Sequence, residues 1–204
     1  MLPDLQPAVD FLTQVHVARP TATEVVSALL ISEKTARANR QSYPFASLLG
    51  TWRLGFITGT HNSRKAAGGL LGAGRFIPPW VTIQITYAAG WPCETAAEAE
   101  TNHRGTVANV VKFGPIKLVV SGPVCFWPQR NILAFDFTHL QLALADSTLY
   151  KGYVGNGQQR ESTFFEQSLK QQAFFTYFLV SQDCIAARGK GGGLALWVKE
   201  TTGL

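Results

Sequence analysis

The side chains that could carry out chemistry are scattered along this sequence. Neither the four histidines nor the three cysteines have the spacing of metal ligands; they are His16, His61, His103 and His139, and Cys93, Cys125 and Cys184. Asp136 and Asp146 bracket one predicted strand. At about 3.3 Å per residue, the extended chain between them keeps the two carboxylates too far apart for paired acid–base catalysis. We therefore expect no catalytic residue and no metal, and the sequence favours a binding protein over an enzyme.

Positive charge is concentrated in one third of the chain. No acidic residue lies between Glu33 and Glu94, whereas seven basic residues do: Lys34, Arg37, Arg40, Arg53, Arg64, Lys65 and Arg75. This asymmetry predicts an anionic surface as partner, with a membrane favoured over nucleic acid. A solvated face without a partner is the alternative.

A glycine-rich connection, residues 59–74, combines charge with apolar side chains. Arg64 and Lys65 would attract anionic headgroups, and Leu70 and Leu71 would form a small apolar tip. The combination predicts membrane docking by these four residues. The alternative is a loop whose charges only aid solubility.

Two hydrophobic periods divide the chain. In residues 1–47, a capping box from Thr21 to Glu24 precedes apolar residues at helical spacing, and a shorter helical pattern comes before it. From Thr51 onward apolar and polar residues alternate in eight or more strands joined by short turns. Strands without interleaved helices predict an antiparallel meander, and closing it removes exposed edges. We expect a mainly β protein, with an N-terminal helical segment (1–47) and an up-and-down barrel (48–204).

The Gly50-Thr51-Trp52 sequence opens the first of these strands. An indole at this position can plug the closed end of a small barrel, and Arg188, near the end of the chain, could lie over its face in a cation–π contact. We predict that Trp52 and Arg188 close the barrel. The alternative is a core tryptophan with an unrelated surface arginine.

Length and composition bound the location. A chain of 204 residues with 46% hydrophobic residues fits one domain with a real core. No run approaches the ~18 apolar residues of a spanning helix, and Pro3 and Asp4 follow Met1 where a leader would be basic or apolar. An odd number of cysteines indicates a reducing compartment. We expect a cytoplasmic protein that is neither secreted nor transmembrane.

Both ends of the predicted barrel resemble one family. The opening segment, residues 48–58, reads LLGTWRLGFIT, and the closing segment runs from Tyr177 through Arg188-Gly189 and a glycine-rich turn to Leu194–Lys199. Both are similar to the plastid lipid-associated protein (PAP)/fibrillin family of plastids and cyanobacteria. The family's final hairpin is usually more acidic, and here Ser181, Gln182 and Ile185 stand in its place.

The resemblance implies a lipocalin-like barrel that binds a lipid, an isoprenoid quinone or a carotenoid, peripheral on a cyanobacterial thylakoid membrane or on lipid globules. It implies no catalytic residue. We expect the hydrophobic small molecule to lie against inward-facing residues of the alternating strands: Phe56, Ile83, Ile85, Phe135, Phe137 and Phe178.

Two alternatives stay open. One is an assembly or accessory factor that docks on a photosynthetic protein complex, which a filled barrel interior would favour. The other is a barrel-type enzyme such as a bilin lyase, which would need a polar residue such as Arg53, Asp136 or His139 inside the slot.

Overall fold

Two helices begin the chain. The computed structural model describes residues 5–14, 16–59, 74–91, 103–145 and 147–200. Helix α1 spans Gln6–Thr13 and helix α2 spans Ala22–Ala38. The predicted capping box starts α2: the Thr21 hydroxyl accepts from the Glu24 N–H, and the Glu24 carboxylate accepts from the Thr21 N–H. Two backbone N–H groups that would lack helical partners are thereby paired.

Strands dominate the rest of the chain. After a short 3₁₀ turn at Phe45–Leu48, the described residues form eleven strands and one further α-helix. These are β1 (Gly50–Ile57), β2 (Arg75–Phe76), β3 (Val81–Ala89), β4 (Arg104–Phe113), β5 (Ile116–Trp127), β6 (Ile132–Phe135), β7 (His139–Leu144), β8 (Ser147–Tyr153), α3 (Gly157–Thr163), β9 (Ala173–Val180), β10 (Cys184–Gly189) and β11 (Leu194–Lys199).

Eight strands close into an antiparallel barrel. Their order around the wall is β1-β3-β4-β5-β6-β9-β10-β11, and β11 pairs with β1 to complete the circle. The chain runs up and down this wall, so the predicted mainly β barrel with an N-terminal helical segment is confirmed, and it is consistent with a lipocalin-like barrel. Closure gives each of these eight strands a partner on both sides over part of its length.

Strands β7 and β8 extend the sheet beyond the barrel. The last residues of β5 pair with β6, whereas its first six residues pair with β7, which in turn pairs with β8. Pro123 lies between these two halves of β5 and has no N–H to donate, so the partner strand is interrupted there. The alternation of apolar and polar residues over 131–145 predicts one strand, and the structure divides it into two, β6 and β7.

The barrel wall separates two hydrophobic cores. The inner core holds large residues from around the wall, and its fully buried members include Trp52, Tyr87, Phe126, Leu133 and Tyr177. The outer core lies between helices α1 and α2 and the outer face of β1, β9, β10 and β11. The helices therefore pack against the outside of the barrel rather than filling it.

In the described ranges, none of the helices combines the length and the apolar character that crossing a membrane requires.

Candidate functional site

Trp52 lies at the end of the barrel where β1 begins and β11 ends. Its side chain is 1% exposed, and its indole N–H donates to the Leu48 carbonyl at 2.7 Å. The 3₁₀ turn that contains Leu48 also places Phe45 in a stacked contact with Phe126, with ring centroids 5.8 Å apart. This end of the barrel, called the closed end below, is therefore filled by protein side chains.

The cation over Trp52 is Lys199. Its ammonium lies 4.1 Å from the centroid of the indole ring and donates to the Leu49 carbonyl at 2.8 Å. Burial lowers the pKa of Lys199. Gly50 has φ +108°, and a Cβ there would lie 2.6 Å from the Lys199 ammonium. The glycine of the Gly50-Thr51-Trp52 sequence therefore makes room for the lysine.

Arg188 does not contact Trp52, so its predicted cation–π contact is wrong. Along β10, Ile185 and Ala187 face the inner core, which turns Arg188 to the outer face of the barrel. There its guanidinium donates to both carboxylate oxygens of Glu33 on α2 and to the Gly192 carbonyl. The hydrogen bonds to Glu33 raise the pKa of Arg188. Arg188 fastens helix α2 to the barrel.

Two buried tyrosines meet in the middle of the inner core. The hydroxyls of Tyr87 and Tyr177 are 2.8 Å apart and form one hydrogen bond. Burial raises the pKa of both phenols. Tyr177 also lies beside Trp197, with ring centroids 6.5 Å apart. These aromatic rings occupy the space that a barrel ligand would need.

Four of the six residues expected to line a ligand slot belong to the inner core. Ile85 and Phe135 are buried there, and Ile83 and Phe137 pack against it. Phe56 and Phe178 instead belong to the outer core, so their predicted inward placement is wrong. The register of β1 shifts between Leu54 and Phe56, and that of β10 against β9 shifts between Ala186 and Ala187, opposite Leu179 and Tyr177. A bulge of one residue reverses the face that later side chains present, which accounts for Phe56. Phe178 faces outward because it directly follows the inward-facing Tyr177.

Other predicted residues lie elsewhere. Arg64, Lys65, Leu70 and Leu71 are outside the described residues. The three polar residues named above as examples for the slot of a barrel-type enzyme all make contacts outside the barrel. Arg53 donates to the Leu12 carbonyl of α1, Asp136 accepts from Arg160 of α3, and His139 lies 3.2 Å from the Glu161 carboxylate. This placement does not support the bilin lyase alternative.

The inner faces of β3, β4 and β5 continue past the inner core and become exposed. Val107 of β4 is 1% exposed, whereas Phe113, six residues later on the same face, is 53% exposed. The pairings carry this face across β5 to β7 and β8. We call it the distal face; it comprises Ile83, Asn109, Val111, Leu118, Val120, Leu140 and Leu142, all partly exposed. Six of these seven side chains are apolar.

Asn109 is the polar residue of the distal face. Strand pairing places it between Ile85 of β3 and Val120 of β5, where the inner core ends. Its side-chain oxygen Oδ1 is buried and has no hydrogen-bond partner among the residues that the structure describes. An unpaired buried acceptor is rare because it loses the free energy of hydration without replacement. An apolar surface with one unsatisfied polar atom is the composition of a small-molecule site.

Two concave sites lie outside the barrel, beside α2. A groove of about 450 Å³ runs between α1 and α2 and is lined mainly by small and apolar residues such as Pro7, Ala28 and Ile31. A cleft of about 340 Å³ lies between the end of α2 and β9, and Arg37, Arg40 and Arg130 line it. In the part of the chain that the structure describes, no cluster of histidine, cysteine and carboxylate side chains could hold a metal ion.

Lys199 and Asn109 are the residues that sequence reasoning missed. Both lie an even number of positions from residues that face the inner core, so both belong to the inward-facing set of their strand. Lys199 follows Ala195 and Trp197, and Asn109 stands between Val107 and Val111. A polar residue at a core-facing position of an alternating strand is the pattern that would have found them.

Comparison of the sequence with models of known protein families found no match, and comparison with curated protein sequences found none either.

Proposed function

We propose that this protein binds a hydrophobic small molecule, such as a lipid, an isoprenoid quinol or a hydroxylated carotenoid, on the distal face. The observation that carries the proposal is that the apolar inner faces of β3, β4 and β5 leave the core, continue onto β7 and stay partly exposed. The resemblance to the PAP/fibrillin family supports the choice of lipids and pigments. It also supports a place at the thylakoid membrane.

The distal face is large enough for such a ligand. Four strands about 4.8 Å apart and roughly three residues deep present on the order of 200 Å² of mainly apolar surface. At about 25 cal/mol per Å², covering the protein side alone would contribute on the order of 5 kcal/mol before the costs of association. The closed end around Trp52 offers no comparable space, so the ligand would lie at the open side of the barrel.

Asn109 gives the site a chemical preference. Its unpaired Oδ1 atom accepts hydrogen bonds, so a ligand hydroxyl placed there would satisfy a buried polar atom. A quinol carries such a donor and the corresponding quinone does not. We therefore expect the quinol to bind about fivefold more tightly than the quinone, because a buried neutral hydrogen bond contributes about 1 kcal/mol.

Fluorescence competition tests the proposal. Titration with the neutral probe N-phenyl-1-naphthylamine should show saturable binding, which a long-chain benzoquinol should displace. Val120→Gln, on the distal face, should weaken binding, whereas Val119→Gln, the next residue on the opposite face, should not. Asn109→Leu should abolish the preference for quinol over quinone, and this variant should still bind the probe. Absence of saturable binding, or equal effects of the two valine variants, would contradict the proposal.

The filled interior around Trp52 supports a second candidate, an accessory factor that docks on a photosynthetic protein complex. In that case the distal face would contact protein and would bind no small molecule. Co-sedimentation with purified photosystem complexes separates the candidates. If the protein is an accessory factor, its Val119→Gln variant should bind the complexes, its Val120→Gln variant should not, and neither the variants nor the parent should bind the probe.

A further inference from the structure

Large apolar side chains are exposed at one edge of the extended sheet. The strand ends meet in one row, because Val81 pairs with Phe113, Phe113 with Ile116, and Ile116 with Leu144. Trp80, immediately before β3, is 64% exposed and packs edge-on against Phe113, with ring centroids 5.4 Å apart. We call Trp80, Phe113, Ile116 and Leu144 the distal edge; at about 4.8 Å per strand it is roughly 15 Å long.

Two lysines stand directly behind the distal edge, and a third lies further from the edge on the same sheet face. Lys112 and Lys117 are paired across β4 and β5, one residue in from Phe113 and Ile116, and Lys151 lies two strands away on the same sheet face. All three are exposed and have neither an ion pair nor a side-chain hydrogen bond among the described residues. Like charges directly opposite each other destabilise a sheet, so the Lys112–Lys117 pair does not serve the fold.

The charge of this region has one sign. Strands β3, β4, β5, β7 and β8 contain no aspartate or glutamate. The acidic residue nearest in sequence, Asp146, falls between the ends of β7 and β8 in the chain and is outside the described residues. Apolar side chains therefore lie at the edge, and cations lie on the opposite face of the same sheet.

We infer that the distal edge inserts into the interfacial layer of an anionic lipid bilayer, with Lys112, Lys117 and Lys151 binding headgroups behind it. The apolar row and the lysines are on opposite faces of a single sheet, so a folded protein partner would have to contact both faces to use them. A headgroup layer surrounds an inserted edge on both sides. Tryptophan favours that layer because its ring is apolar and its N–H is polar.

Vesicle co-sedimentation tests the inference. Vesicles of phosphatidylcholine with about 30 mol % phosphatidylglycerol should bind the protein, pure phosphatidylcholine vesicles should bind it much more weakly, and salt should weaken binding. Lys112→Glu/Lys117→Glu should bind anionic vesicles at least about 25-fold more weakly, because each lysine near an anionic surface contributes about 1 kcal/mol, or about fivefold in affinity. Lys34→Glu/Lys170→Glu has the same net charge but changes exposed lysines elsewhere, and it should lose less than about threefold.

Two further variants separate docking from folding. The single change Lys112→Glu places opposite charges across β4 and β5, so it should not lower the denaturation midpoint although it weakens vesicle binding. Trp80→Ala/Phe113→Ser should weaken binding about tenfold or more, whereas Leu30→Ala/Ile31→Ser, which changes exposed apolar residues of α2, should not.

The inference stands apart from ligand binding. Val120→Gln should lose the fluorescent probe and keep vesicle binding, and Trp80→Ala/Phe113→Ser should do the reverse. Equal losses in the two double-lysine variants, or equal binding to neutral and anionic vesicles, would overturn the inference. So would a dimer in sedimentation velocity that Trp80→Ala/Phe113→Ser dissociates, since the edge would then join two copies of the chain.

Discussion

Val107 and Phe113 occupy the same face of one strand, yet only Val107 is buried. Around Val107 the barrel wall curves back, and the opposite wall supplies Trp52, Tyr177 and Trp197. Around Phe113 the sheet has left the barrel, and the described residues place no opposing wall there. The closed end and the distal face thus show that alternation selects which residues point inward, while closure decides whether anything covers them.

The largest expected effect is the difference in stability between alanine variants of two tryptophans, Trp52 of the closed end and Trp80 of the distal edge. Trp52→Ala should lower the free energy of unfolding by about 3–5 kcal/mol, because it leaves a cavity and an unpaired Leu48 carbonyl. Trp80→Ala should change it by less than about 0.5 kcal/mol, because the side chain is exposed. Urea denaturation measures both values. Similar losses in the two variants would mean that the distal edge is core.

Alkaline pH should act through the inner core. The raised pKa values of Tyr87 and Tyr177 mean that, above about pH 10, the unfolded chain releases phenol protons that the folded chain retains. The stability contributed by the neutral phenols is complete below pH 10 and is lost above it, at up to about 1.4 kcal/mol per pH unit for each tyrosine. Denaturation series from about pH 8 to pH 11 measure this slope. An unchanged slope in Tyr87→Phe/Tyr177→Phe would assign it to other groups.

Removing one hydroxyl of the tyrosine pair should lower the free energy of unfolding more than removing both. Tyr87→Phe leaves the Tyr177 hydroxyl buried without a partner and should cost about 1–3 kcal/mol, whereas the double phenylalanine variant should recover part of this loss. Tyr150→Phe, in the sheet extension, should change stability by less than about 0.5 kcal/mol because its hydroxyl is exposed. Additive losses at Tyr87 and Tyr177 would show that their hydroxyls do not interact.

Asn109 lies at the boundary between the two regions. Asn109→Leu should raise the free energy of unfolding by about 1 kcal/mol, since it removes an unpaired buried oxygen and adds apolar contact. Thermal denaturation without ligand measures the gain. A loss of stability instead would mean that the amide has a structural partner, and it would weaken the case for a ligand at this position.

The smallest predicted effect concerns the cation at the closed end. A double-mutant cycle between Trp52→Phe and Lys199→Met should give a coupling of about 0.5–1 kcal/mol, because the ammonium lies over the indole. The same cycle with Arg188→Met should give a coupling near zero, since Arg188 binds Glu33 on the outer face. Coupling to Arg188 rather than Lys199 would reverse the assignment.

Local patterns were sufficient for some of the elements of this protein but not for all of them. The Thr21–Glu24 capping box started α2, and the residues before the Gly114-Pro115 turn formed a strand, because both signals act through neighbours in the chain. Phe56 could not be placed, since it follows a bulge that depends on the partner strand. Phe178 was assigned to the wrong face, because it directly follows the inward-facing Tyr177 and alternation turns it outward. Residues 131–145 likewise form two strands because of Pro123 in the neighbouring strand.

The sequence by itself determined a closed antiparallel barrel behind N-terminal helices, since alternation, turn residues and capping are short-range properties of the chain. Only the tertiary structure decided that Lys199 covers Trp52, that Arg188 turns outward to Glu33, and that apolar strands run on past the barrel to an exposed edge. These features join residues up to 155 positions apart in the chain. Their pairing depends on barrel closure and strand register, which no local pattern encodes.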